Sequence, residues 1–333
     1  MELNFLVFPA PKPSYTPDSL ENEILWIPAF DSSEPTSPLK EIQITDISMN
    51  IENFNRFKYY GTLGLLPKKT VSKYENRQPK YHIPCLLLKP SNSLSHFILI
   101  FFHGNGEDVY LAYDLLSNLR NNLQINVMAV EYPGYGIYKG SPSAERIIQD
   151  SIHVYDYIVD LGFKKQNILV LGRSIGSGAA TELAVKKEIG ILALISPFTS
   201  LKDVVKEMVG SMFKFLLKER FNNMENIAKI NCPTLLVHGS LDTMIPVDHS
   251  FLLHGILIFN ICYYKCCYWF LLIAACRGPC ELVTPKNMNH FQFDFYDDFT
   301  QPFKNFLERC GILLHYGDKK APIFPNELFI NPL

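Results

Sequence analysis

The chain has 333 residues, with 31 Lys+Arg against 33 Asp+Glu, and is 47% hydrophobic and 19% charged. A chain this apolar buries a large core, which excludes a disordered or collagen-like polymer. Balanced charge without long like-signed blocks excludes the basic footprint of a nucleic-acid binder, and 8 cysteines are too sparse for a secreted disulfide scaffold.

The length allows two domains or one large α/β domain. The start, MELNFLVFPAPKPSYT, has an acid at position 2 and only a short apolar run before Pro9, so no signal peptide is expected. Residues 31–80 are polar and irregular and read as loops and edge strands. Beyond them, apolar runs at 83–88, 97–102, 126–131, 167–171, 191–196 and 234–238 alternate with helix-length stretches. The runs are rich in Ile, Leu and Val without strict alternation, as expected of strands buried on both faces of a parallel sheet. Between them, 142–161 carries Ile147, Ile148, Ile152, Tyr155 and Ile158 at helical spacing, and 175–187 reads as another helix. Strand–helix alternation of this kind predicts an open, mostly parallel α/β sheet with helices on both faces.

The most specific motif is Gly172-Arg173-Ser174-Ile175-Gly176, which follows the strand-like NILVL and opens a helix. A serine on so tight a strand-to-helix turn exposes its hydroxyl above the sheet, and the turn demands minimal side chains at Gly172 and Gly176. The helix N-terminus then favours developing negative charge. A serine hydroxyl needs a base, and the base needs an orienting acid. In this architecture the chain order is serine, acid, histidine. Asp242 lies just beyond TLLVH, at the carboxyl end of a strand, where open α/β sheets place their sites. His290 follows the strand-like CELVT and precedes the last helix. Asp248 sits where a helix starts and reads as a cap. His249 and His254 are too near the acid to come from a separate strand, and His315 lies in the tail. Two backbone N–H groups are expected to receive an oxyanion, that of Ile175 and that of Asn105 in the His103-Gly104-Asn105-Gly106 loop. His103 itself reads as a brace for that loop.

Taken in order, HGNGED, EYPGYGIYKGSPS, LGRSIGSG, SPFTSL, HGSLD and NMNHF resemble the alpha/beta-hydrolase superfamily. They look most like its domain-17 group, whose members remove palmitate from cytosolic protein cysteines. LVFPAPKPSYT and ILWIP resemble the start of that group's conserved region. The resemblance covers roughly residues 5–30 and 81–310 apart from one apolar stretch. It implies a thioesterase with Ser174, Asp242 and His290 as catalytic triad, acting on S-acylated proteins or small acyl esters without a cofactor or metal. It also implies a cytoplasmic protein whose membrane contact is at most peripheral, at the cytosolic face. The chain departs from the group in having no cysteine before Cys85, so delivery by a lipidated N-terminal cysteine cluster is not expected. The expected organisation is an extension with edge strands over 1–80, a catalytic domain over 81–312 and a tail over 313–333. A general carboxylesterase, a serine-aminopeptidase-like hydrolase and a non-catalytic hydrolase-fold protein are the alternatives.

Two segments stand outside this frame. Residues 199–230 read as a cap whose Val204, Val205, Met208, Met212, Phe213, Leu216 and Leu217 either line an acyl groove or pack on the sheet. Residues 256–275 form an apolar stretch with Lys265 as its only charge, long enough for a transmembrane helix. A single crossing there would put Asp242 and His290 on opposite sides of a bilayer, so a spanning helix is rejected. Without it, SFLLHG joins CRGPCELVT as one amphipathic helix running into a strand. The stretch therefore reads as an insertion, either retained intron sequence or an extra apolar helix or hairpin; a mature transcript encoding all of it would remove the intron reading. Cys262, Cys266 and Cys267 within it have no neighbouring His or acid and read as incidental thiols rather than metal ligands.

Overall fold

The computed structural model describes residues 8–20, 22–30, 79–90, 94–204, 220–266, 279–312, 314 and 321–332. Eight strands form one sheet: β1 (Ile24–Ala29), β2 (Tyr81–Leu88), β3 (Ile98–Phe102), β4 (Asn126–Val130), β5 (Ile168–Arg173), β6 (Ile191–Ile195), β7 (Thr234–Val237) and β8 (Cys280–Val283). Their order is β1-β2-β4-β3-β5-β6-β7-β8. The pairs from β4–β3 through β7–β8 are parallel. β2 pairs antiparallel with both β1 and β4. The apolar run 83–88 was expected to be parallel and is not. Its six residues are all buried, and such a run reports covering on both faces, which an antiparallel strand can share.

Each apolar run feeds two cores by alternation. Ile98, Ile100 and Phe102 of β3 and Ile168 and Val170 of β5 enter one core. Leu99, Phe101, Leu169 and Leu171 enter the other. The first core is closed by α2 (Ala144–Asp160), α3 (Gly176–Lys186) and α5 (Asp248–Cys266), through side chains such as Ile147, Ile158, Leu183 and Leu253. The second is closed by α1 (Tyr113–Leu123) and α6 (Gln301–Arg309), through Leu116, Leu119, Phe303 and Phe306. Helices on both faces leave no solvated side to the central strands, which is why the sequence lacks the polar-apolar alternation of a half-exposed sheet. α2 begins where Ser143 Oγ accepts the Arg146 N–H at 3.1 Å. It ends just before Gly162, held at φ 103°, the left-handed residue that commonly stops a helix.

Three expectations fall partly or wholly outside the described residues. Of the 31–80 segment only the last two residues are described. In the cap-like segment, Val204 packs against the first core, α4 (Asn223–Ile227) lies beside α3, and Val205 through Leu217 lie outside. In the apolar stretch, α5 begins at Asp248, the first residue of the helix, and continues without a break to Cys266. Its first part is therefore an extension of an existing helix rather than a separate one, since no proline interrupts it and nothing crowds Gly255. The remainder, 267–275, lies outside, as does His315. Among the described residues no helix is long and apolar enough to cross a membrane.

Candidate active site

The candidate residues all sit at or just beyond the carboxyl ends of β3, β5, β7 and β8, the edge where parallel sheets present their chemistry. Ser174 is the first residue after β5, with φ 51°. A non-glycine residue in the left-handed region is strained, and such strain persists only where the surroundings impose it. Here the imposing contacts are the Ser174 N–H on Ile195 O at 2.9 Å and the Ser177 N–H on Ser174 O at 2.9 Å. They fasten the turn to β6 below and to α3 ahead. The glycines make the turn sterically feasible. A Cβ on Gly172 would lie 2.5 Å from Gly176 O and 2.7 Å from Ala180 Cβ. One on Gly176 would lie 2.1 Å from Phe102 O and 2.6 Å from His103 O. That second contact presses the start of α3 against the end of β3 and so brings the 103–106 loop beside Ser174.

His290 and Asp242 complete a hydrogen-bonded series. His290 Nδ1 is 2.8 Å from Asp242 Oδ2, and His290 Nε2 is 3.2 Å from Ser174 Oγ. With Nδ1–H donated to the carboxylate, Nε2 is left to accept the serine hydroxyl. All three residues are 6–7% exposed, enough for a reactant to reach them while most bulk water is excluded. The second Asp242 oxygen accepts the N–H groups of Met244 at 3.0 Å and Ile245 at 2.9 Å. Burial alone would raise the carboxyl's pKa. Hydrogen bonds from His238 and His290, the Ile245 N–H and the charge on His290 outweigh it, and hold Asp242 well below the usual carboxylate range.

The oxyanion candidates are placed as follows. Ile175 directly precedes α3, where helix N–H groups lack intrahelical partners. Asn105 is exposed at the loop tip, and its side-chain oxygen accepts the Tyr135 hydroxyl at 2.9 Å. Below it, Tyr132 Oη donates to His103 O at 2.9 Å, and the His103 ring stacks on Tyr132 with centroids 3.8 Å apart. His103 Nδ1 lies 2.9 Å from Gly104 O, and Nε2 lies 3.0 Å from Glu131 Oε1 without the alignment of a good hydrogen bond. Burial opposes a charge on His103, but the Glu131 carboxylate more than offsets it and raises the imidazole pKa. The ring is wholly buried, and its contacts are with Gly104, Glu131, Tyr132 and Tyr135.

Sequence reasoning missed two groups. His238 is fully buried, with Nε2 2.8 Å from Ile245 O and 3.4 Å from Asp242 Oδ2, and Nδ1 2.7 Å from Ser250 Oγ. It sits at the end of its strand run in HGSLD, so its position four residues before the acid was the available signal. Arg173 fills a variable position of the serine motif, yet it bonds both Glu107 Oε2 at 2.7 Å and His290 O at 2.9 Å. No one-dimensional spacing marks that contact. Burial holds the thiols of Cys232 and Cys280 up at about 12 and that of Cys310 up at about 11, so at neutral pH they are protonated and poor nucleophiles. Among the described residues no three His, Cys, Asp or Glu side chains are grouped to hold a metal ion.

The chain is 31% identical over 181 residues to the alpha/beta hydrolase domain-containing protein aho-3 of Caenorhabditis elegans, covering 54% of this chain and 52% of that protein. It therefore spans about half the length of that relative. To the human alpha/beta hydrolase domain-containing protein 17B it is 25% identical over 228 residues, covering 68% of this chain and 71% of that protein. Among solved structures, the Pyrococcus furiosus esterase Pf2001 superposes with a TM-score of 0.54 at 16% identity, over 69% of this chain and 87% of that one. At that identity the likeness is one of fold. No protein-family model matches the chain.

Proposed function

We propose, from the similarity of the chain to the domain-17 proteins of the alpha/beta-hydrolase superfamily, that it is a serine hydrolase cleaving acyl thioesters, removing palmitate from S-acylated proteins. The observation that carries this reading is the Ser174–His290–Asp242 series, in which a strained serine faces an imidazole already oriented by a buried carboxylate. In the proposed reaction Ser174 Oγ attacks the acyl carbonyl carbon while His290 Nε2 takes its proton. Asp242 stabilises the imidazolium through Nδ1, and the N–H groups of Ile175 and Asn105 receive the oxyanion. Collapse of the tetrahedral intermediate expels the thiolate, protonated by His290. Water activated by the same imidazole then releases the fatty acid from Ser174.

An apolar substrate is favoured by the residues flanking the acid and the base. Leu241, Met244 and Phe291 are exposed large apolar side chains within two residues of Asp242 or His290 in the chain. A cytoplasmic protein meeting S-acylated substrates at the cytosolic face of membranes fits this reading. The carboxylesterase and aminopeptidase-like alternatives share the same series of residues. The non-catalytic alternative is weakened, because the series stands assembled with α5 running into the apolar stretch.

The test is a fluorophosphonate probe on purified protein. Wild type is expected to label and Ser174→Ala not to; no labelling, or equal labelling of both, removes the enzyme reading. Release of palmitate from a palmitoyl-cysteine peptide faster than from the matching oxyester supports the thioesterase assignment, and the reverse order favours the carboxylesterase.

A further inference from the structure

We propose that Arg173 and Glu107 form a positioning clamp that couples the loop carrying Asn105 to the loop carrying His290 across the serine turn. Its catalytic consequence rests on the serine-hydrolase reading above. Arg173 ends β5, and strand alternation puts it on the face of Leu169 and Leu171, within the second core's side of the sheet. There the chain continues with a guanidinium where the previous two positions on that face are leucines. The Arg173 and Glu107 side chains are only 14% and 16% exposed, and the Phe293 ring lies 5.9 Å from the guanidinium carbon.

The clamp ends on backbone on both sides, each time at or next to a proposed reacting group. Arg173 Nη1 donates to Glu107 Oε2 at 2.7 Å, and Nη2 donates to the carbonyl of His290 itself at 2.9 Å. The other Glu107 oxygen accepts the N–H of Gly104, the residue before Asn105. One planar fork therefore fixes the base loop and, through a single carboxylate, the oxyanion loop. A lysine ammonium lacks the fork geometry to hold both acceptors at once. An exposed ion pair contributes little to stability. This pair is largely shielded, and its larger effect is on placement, where misplacement of about 1 Å costs on the order of 100-fold in rate.

Two measurements test the clamp. In the first, Arg173→Met is expected to slow probe labelling and lower kcat by roughly 10- to 100-fold with KM little changed. Arg173→Lys should recover part of that loss, and Arg173→Met combined with Glu107→Gln should be no slower than Arg173→Met alone, as for two members of one unit. Rates are compared on protein whose circular dichroism melting shows it folded. The second, hydrogen–deuterium exchange, needs no catalysis: Arg173→Met should speed exchange in the peptides containing both Gly104 and His290. Wild-type labelling and kcat in Arg173→Met, or exchange raised in only one of the two peptides, overturns the clamp. If wild type itself fails to label, the serine-hydrolase reading falls, while the exchange result still decides whether the two loops are coupled.

Discussion

Ser174 holds a φ of 51°, which costs a non-glycine residue roughly 1–3 kcal/mol. The fold sustains that cost through contacts on both sides of the turn, and the result is a hydroxyl aimed at an imidazole. At the same scale, Asp242 is the group whose environment departs most informatively from water. Its folded-state pKa is depressed, so its contribution to stability is complete above the unfolded value near ~4 and is lost as pH falls through the folded one. The stability difference between wild type and Asp242→Asn, read from urea unfolding, is therefore expected to shrink as pH falls below about 4. A difference that grew below about pH 4 would contradict the depressed pKa. At neutral pH the same substitution is expected to lower kcat on the order of 10³- to 10⁴-fold, because His290 Nδ1 loses its carboxylate and Nε2 its fixed acceptor role.

At the scale of elements, the contact of α3 with β3 matters most. Gly176 is where the helix start meets the backbone of Phe102 and His103, and a Cβ there would come within 2.1 Å of a carbonyl oxygen that cannot swing away. Gly176→Ala must therefore push α3 off the sheet. The expected cost is about 1–3 kcal/mol or more in thermal or urea unfolding. Even the folded fraction should label poorly, because Ser174 and the 103–106 loop lose their common register. Wild-type stability with wild-type labelling would show that this contact does not set the site. The element boundaries were legible because they follow local chemistry: Ser143 caps α2 and Gly162 ends it, and the apolar runs begin and end within a few residues of their strands. The antiparallel direction of β2 was not legible, since burial on both faces leaves the same pattern whichever way a strand runs.

Across the whole molecule, the described N-terminal residues are tied to the centre of the sheet. The Tyr15 hydroxyl donates to Glu131 Oε2 at 2.8 Å, and Ser14 binds Asp108 through its N–H at 2.8 Å and its hydroxyl at 2.5 Å. Glu131 is fully buried and also faces His103. Tyr15→Phe thus removes one partner of a buried charge, an effect of about 1.5–3 kcal/mol. A lower urea midpoint with unchanged slope is expected; an unaltered midpoint would mean that the Tyr15–Glu131 hydrogen bond contributes nothing to global stability. A segment read as an extension with edge strands is thereby linked to the brace beneath the Asn105 loop.

The sequence by itself determined the alternation of strands and helices, the serine turn with its glycines, and the candidates Asp242 and His290. Those features depend on local backbone chemistry and on chain order, both of which are one-dimensional. Only the tertiary structure decided that His290 Nδ1 meets Asp242 and that His238 stands behind that carboxylate. It alone showed Arg173 bridging two loops to which it has no sequential relation. Such contacts arise where separate strand ends converge at one edge of the sheet, and no spacing along the chain encodes the distance between them.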